Sequence, residues 1–152
     1  MHSPSPQEVA EATREAMLRD DQASRSLGIR IEAVGPGTCT ARMTVRTDML
    51  NGHAICHGGL ITTLADSTFA FACNAYNELT VASGFEVNLL AAARLNDELT
   101  AQAIEINRAG RTGVYDITVS NQRGERVAVF RGRSYSVKGQ PVVAGLPVGK
   151  QS

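Results

Sequence analysis

The chain has 152 residues, with 15 Lys and Arg against 15 Asp and Glu and no formal net charge when histidine is neutral. That length supports one domain burying about two-thirds of its unfolded surface. The balanced charge, with no dense Lys/Arg cluster, excludes the electrostatic footprint of a nucleic-acid partner or an anionic membrane surface.

The first residues, Met1-His2-Ser3-Pro4, carry neither the basic start nor the apolar run of a signal peptide. Ser5-Pro6-Gln7-Glu8 has the spacing of a capping box with proline at the first helical position, so residues 1–26 read as a helical segment whose helix ends at about Leu18. The period then changes. Leu27, Ile29, Ile31 and Ala33 recur every second residue, Gly35-Pro36-Gly37 turns the chain, and Cys39, Ala41, Met43 and Val45 alternate with polar neighbours. This predicts a hairpin.

A polar loop over 46–56 leads to a run from His57 to Tyr76 that is apolar on nearly every face, as in an enclosed helix. Its length would suit a membrane span, but two Gly, four Ser or Thr, an Asn and an Asp within it argue against insertion. Four strand-like runs follow at about 80–91, 97–107, 112–121 and 125–137, joined by short turns. Residues 138–152, rich in Gly, Pro and Val without period, read as a flexible tail. The order predicts an α+β domain over 27–137, an antiparallel sheet wrapped around one long central helix.

The three cysteines, Cys39, Cys56 and Cys73, form no Cys-x-x-Cys pair, and their odd number suits a reducing cytoplasm better than a disulfide framework. Asp66 is the only carboxylate or basic side chain within the central run beyond its opening histidine. Burial without a partner disfavours its charged form, which makes it a candidate acid, base or nucleophile. It also suits a structural carboxylate held by neighbouring Ser or Thr hydroxyls.

At the helix start, Gly58 and Gly59 offer amide N–H groups that lack intrahelical acceptors and sit at the positive end of the macrodipole. Such donors can stabilise an oxyanion. The same glycines equally suit a tight turn or close packing. Eight residues separate Gly58 from Asp66, roughly 12 Å along a helix, too far to flank one carbonyl within one chain. A two-fold dimer with antiparallel central helices would bring them together twice.

Asn51-Gly52-His53-Ala54-Ile55-Cys56-His57-Gly58-Gly59, Leu64-Ala65-Asp66-Ser67, Phe69 to Asn74, Thr112 to Asp116 and Phe130 to Ser134 resemble the hotdog-fold thioesterases of the phenylacetate-degradation type. The resemblance spans about residues 27–137. It implies hydrolysis of acyl-CoA thioesters, with aryl-acetyl or hydroxyaryl-acetyl groups as the expected acyl part. Asp66 matches the family's catalytic carboxylate, Gly58 its oxyanion donor, and Asn51 and His57 its supporting polar positions. It also implies dimers, often paired into homotetramers, with active sites between subunits, no metal, and no cofactor beyond the coenzyme A of the substrate.

Two departures stand out: Ala54-Ile55 where the family often has Gly-Thr, and Ala91-Ala92 where it often has Arg-Pro. Gly59 and Ser83 are further substrate-binding candidates, Ser83 as a hydroxyl facing the acid. Arg111, beside Gly110 and Gly113, is the first choice among Arg108, Arg111, Arg123, Arg131 and Arg133 for the coenzyme's phosphates. Leu60, Thr63, Phe69 and Phe85 are available to line the acyl pocket. His53 gains no role, and Cys56 beside His57 lacks the orienting acid of a thiol nucleophile. Two other readings remain: a hotdog hydratase or dehydratase of enoyl thioesters, which needs a histidine and a carboxylate converging on the substrate, and an acyl-CoA-binding protein without turnover.

Overall fold

The structure, a computed structural model, describes residues 2–150. Helix α1 spans Pro6–Asp20, two residues beyond the expected end, and the capping box forms: Ser5 Oγ accepts the Glu8 N–H at 3.1 Å and the Glu8 carboxylate accepts the Ser5 N–H at 3.0 Å. A second short helix α2, Gln22–Ser26, follows within the expected helical segment, beyond the helix end expected near Leu18. Asp21 starts it by accepting both the N–H (3.0 Å) and the hydroxyl (2.7 Å) of Ser24.

The predicted hairpin is present as β1, Arg30–Gly35, and β2, Thr38–Thr44, with Gly37 at φ +73° in the turn. Strand β2 alternates as its sequence demands, burying Cys39, Ala41 and Met43. Strand β1 does not. A bulge between Ile31 and Ala33 shifts the register, so Val34 turns inward and Ala33 lies exposed.

The central helix α3 is Gly58–Cys73, and the last four strands are β3, Thr80–Leu89, β4, Glu98–Ala109, β5, Thr112–Ser120, and β6, Arg126–Ser136. All six strands form one antiparallel sheet in the order β1-β2-β4-β5-β6-β3. Helix α3 lies across its inner face and buries Ile61, Leu64, Ala65, Thr68, Phe69 and Ala72. Each aliphatic or aromatic side chain so buried contributes about 1.5–3 kcal/mol. Phe69 sits over Gly132, where an added Cβ would come within 2.7 Å of its ring, and its ring centroid lies 5.6 Å from that of Tyr115. This close approach sets how deeply the helix beds into the sheet.

Strand β3 is an edge: it pairs with β6 alone among the described strands. It is also unusually apolar for an edge, with Val81 51% and Leu89 53% exposed.

The segment from Lys138, expected as a flexible tail, is anchored over its described length to residue 150. Fully buried Asn77 does most of this. Its Oδ1 accepts the N–H groups of Val142 (3.0 Å) and Val143 (2.7 Å), and its Nδ2 donates to the Val143 carbonyl at 2.9 Å. Gly139 N–H donates to Glu78, and Lys150 pairs with Glu105. An aperiodic sequence gave no sign of this, because the anchor lies on another segment.

Candidate active site

Helix α3 begins on a side-chain cap. His57 precedes the first turn, and its Nδ1 accepts the Gly59 N–H at 3.1 Å, while its carbonyl accepts from Leu60 (3.0 Å) and Ile61 (3.3 Å). Gly59, expected as a second bare donor, is therefore occupied. The Gly58 N–H alone remains without an acceptor among the described residues, at the positive end of the dipole. Gly58 also has a packing reason to be glycine, since an added Cβ would lie 2.5 Å from Leu89 Cδ1.

Asn51 supports this start from the preceding loop. Its Oδ1 accepts the N–H groups of His53 (2.9 Å) and Ile55 (3.4 Å), and Leu50 and Cys56 bridge across the loop. Ala54 sits within that loop at φ +60°, a left-handed conformation that disfavours a Cβ. A glycine there would adopt the same conformation without that penalty. Cys56 is buried, its thiol faces the His57 carbonyl at 3.7 Å, and burial raises its pKa, so the thiolate needed for a nucleophile is disfavoured.

At the middle of the same helix, Asp66 makes no hydrogen bond or ion pair with the described residues. The neighbouring hydroxyls are committed elsewhere: Thr62 donates to the Gly58 carbonyl (2.8 Å), Thr63 to the Gly59 carbonyl (2.9 Å), and Ser67 shares a 2.9 Å bond with Ser24. Burial pushes its pKa above the ordinary carboxylate value. A half-buried, unpartnered acid costs stability, so a purely structural carboxylate is a poor description of it.

Asp66 and Gly58 open into different cavities. One, of about 350 Å³, is bounded by Met17, Asp66, Phe69, Ala70, Val81 and Val142. The other, of about 360 Å³, is bounded by Asn51, Cys56, Gly58, Leu89 and Ala92. They lie toward opposite ends of β3, as the helical rise of roughly 12 Å between Gly58 and Asp66 requires.

Ser83 does not line the Asp66 cavity. A bulge between Ala82 and Gly84 takes it out of register, and its hydroxyl donates to the Arg133 carbonyl at 3.2 Å. Of the expected pocket residues only Phe69 lines that cavity; Leu60 packs on the core and Phe85 stacks on Phe130 at 4.7 Å. Among the arginines, Arg108 is buried against Glu78 (2.7 Å), Arg131 grips Asp116 (2.6 Å), and Arg133 and Arg123 pair with Glu86 and Glu125. Arg111 is exposed at the β4–β5 turn and lines neither cavity. Met17 and Val142, which do line one, lie in segments whose sequence patterns gave no pointer to a site.

No three His, Cys, Asp or Glu side chains converge as a metal site among the described residues. No helix among them is long and apolar enough to cross a membrane.

A curled antiparallel sheet holding one helix, with a free amide at the helix start and an unpaired carboxylate at its middle, is the hotdog architecture of thioester hydrolases. Comparison with known proteins agrees: residues 53–128 match the family described as the thioesterase superfamily. The chain is 42% identical over 124 residues to the acyl-coenzyme A thioesterase PaaI of Escherichia coli (strain K12), covering 82% of this chain and 89% of that protein. It is 31% identical to a putative esterase of Archaeoglobus fulgidus, over 86% and 84% of the two chains. The solved structure of the E. coli PaaI protein from the phenylacetic acid degradation operon superposes with a TM-score of 0.87 at 40% identity, covering 90% of this chain and 99% of that one. The chain belongs to the thioesterase superfamily.

Proposed function

We propose that this thioesterase hydrolyses acyl-CoA thioesters, with aryl-acetyl or hydroxyaryl-acetyl groups as the acyl part, at two sites shared between two copies of the chain. The observation that carries the reading is the division of the chemistry: an unpartnered Asp66 in one cavity, an unsatisfied Gly58 N–H in another, and an unpaired apolar edge strand running between them. Antiparallel pairing of β3 with its symmetry mate, centred near Phe85, sets the Val81 end against the partner's Leu89. Each Asp66 cavity then faces the partner's Gly58 amide, and the edge is covered.

In this arrangement the thioester carbonyl oxygen points at the partner's Gly58 N–H. Asp66 either takes a proton from a water that attacks the carbonyl carbon, or attacks that carbon itself to give an anhydride that water then opens. The tetrahedral oxyanion gathers at the amide, the C–S bond breaks, and the coenzyme leaves as thiolate. Asn51 and His57 hold the loop and the first turn that aim the amide. The chemistry requires no metal and no resident cofactor, since coenzyme A enters as part of the substrate. Arg111, the arginine without a carboxylate partner among the five considered, remains the first candidate for its phosphates.

Two of these dimers would pair through exposed Ile104 and Ile106 on β4 to give a homotetramer. Three free, buried cysteines fit a reducing cytoplasm. The hydratase reading gains no support, because no carboxylate lines the cavity at the helix start beside His57.

Complementation tests the shared site. Asp66→Asn and Gly58→Val are each expected to be inactive in thiol release from phenylacetyl-CoA. Refolded together, half the dimers are mixed and each carries one intact site, so activity returns to about a quarter of wild type. If the mixture stays as inactive as its components, the two groups do not meet across an interface.

A further inference from the structure

Two walls of the Asp66 cavity come from outside the matched superfamily segment: Met17 from α1 and Val142 from the C-terminal segment. Val142 is not loosely draped there. Its own N–H and that of Val143 converge on Asn77 Oδ1, and the Asn77 amide returns a bond to the Val143 carbonyl. Leu79, another wall residue, accepts from the Val137 N–H and donates to the Gln140 carbonyl, both at 2.8 Å. Asn77 itself holds a left-handed conformation (φ +58°) with its side chain fully buried, so the clamp is rigid at its root.

The cavity holds one charged wall, Asp66, and otherwise mostly carbon. If the reacting carbonyl sits at Asp66 and the coenzyme leads away toward the Gly58 side, the acyl group has this carbon-lined space to occupy. We infer that Val142 and Met17 form the far wall of the acyl pocket and set the size of acyl group accepted, with Asn77 as the positioning residue that holds Val142 in place. This rests on the thioesterase reading above and on Asp66 as its acid. The selecting force is apolar burial: each methylene that fits is favoured about fourfold, and a wall moved inward excludes it sterically.

The experiment compares kcat/KM for phenylacetyl-CoA, hexanoyl-CoA and acetyl-CoA, by thiol release, in wild type, Val142→Phe, Val142→Ala, Met17→Ala and Asn77→Ala. Val142→Phe fills the cavity and is expected to lower the phenylacetyl-to-acetyl ratio at least tenfold, mainly through KM. Val142→Ala and Met17→Ala enlarge it and shift preference toward the longer or bulkier acyl group by about threefold or more. Asn77→Ala releases Val142 and should move the ratios in the same direction as Val142→Ala. A merely structural Asn77 would instead lower all three substrates together. Ratios unmoved by Val142→Phe and Val142→Ala, in protein that still releases thiol, overturn the wall. No thiol release from any of the three by wild type would strike at the reaction itself.

Discussion

The start and the middle of α3 are built on opposite rules. At its start the backbone is almost fully satisfied: His57 caps Gly59, Asn51 closes the loop behind it, and a single N–H, that of Gly58, is left over. At its middle a side chain that should be satisfied is not, since Asp66 has lost water without gaining a donor. The start is an ordered frame around one amide donor. The middle is a charged group held ready at a cost in stability. The contrast teaches that the start is tuned through packing and caps, whereas the middle is tuned through burial.

The sharpest way to break this contrast is Asp66→Asn. Loss of the base or nucleophile should lower turnover by about 10²–10⁴-fold. The same change should raise stability, and the sign follows from the raised pKa. Folding favours protonated Asp66, so the wild type loses stability as pH rises through the unfolded value and the loss is complete above the folded value. Asparagine carries no such penalty. Denaturant unfolding should therefore show the two proteins nearly equal at about pH 3 and the variant more stable near neutrality. A variant less stable than wild type at neutral pH would mean that Asp66 has a charge partner after all.

Isotope labelling sharpens the role of the same residue. In a single turnover in ¹⁸O-water, a general base sends the label into the released acid, whereas a nucleophile sends it first to the Asp66 carboxylate when water opens the anhydride at the enzyme carbon.

At the helix start the expected effects are smaller. His57→Ala removes the acceptor of the Gly59 N–H and should cost about 1 kcal/mol of stability. With the first turn loosened, kcat/KM should fall by roughly fivefold to tenfold, the rate equivalent of about the same energy. His57→Asn, a strong capping residue, should restore most of both. A loss of 10²-fold or more that asparagine does not rescue would instead place the imidazole in the proton transfer.

Much of this frame could be read before any coordinates. The alternation in Cys39, Ala41 and Met43 led directly to β2, the strand-like run at 112–121 to β5, and the apolar run after His57 to α3, because in each the residue period matches the burial period. The separation of Gly58 and Asp66 followed from helical rise alone. What escaped was whatever breaks period or arrives from elsewhere. The bulges at Ile31/Ala33 and Ala82/Gly84 each insert one residue and break the alternation, which leaves Ala33 exposed against its period and takes the Ser83 hydroxyl to the Arg133 carbonyl. Met17, Asn77 and Val142 escaped because their meaning lies in contacts across 49 residues or more, which no local pattern encodes.

The smallest effect tests whether the loop behind the helix start is a frame or a participant. Ala54 holds φ +60°, a conformation that costs an L-residue about 1–2 kcal/mol, and its N–H still donates to the Asn51 carbonyl at 3.0 Å. The loop therefore retains its shape against its own residue, because the Asn51 side chain and the Leu50–Cys56 bridge determine it from both sides. Ala54→Gly removes the Cβ strain but adds chain entropy to the unfolded state, which offsets part of the gain. The net should be a stabilisation of up to about 1 kcal/mol, read as a shift in denaturant midpoint at unchanged slope, with kcat/KM within twofold of wild type. A stabilised protein with much altered turnover would show that the loop's strain is coupled to the aim of the Gly58 amide. The middle of the helix, whose cost is electrostatic, would feel neither change.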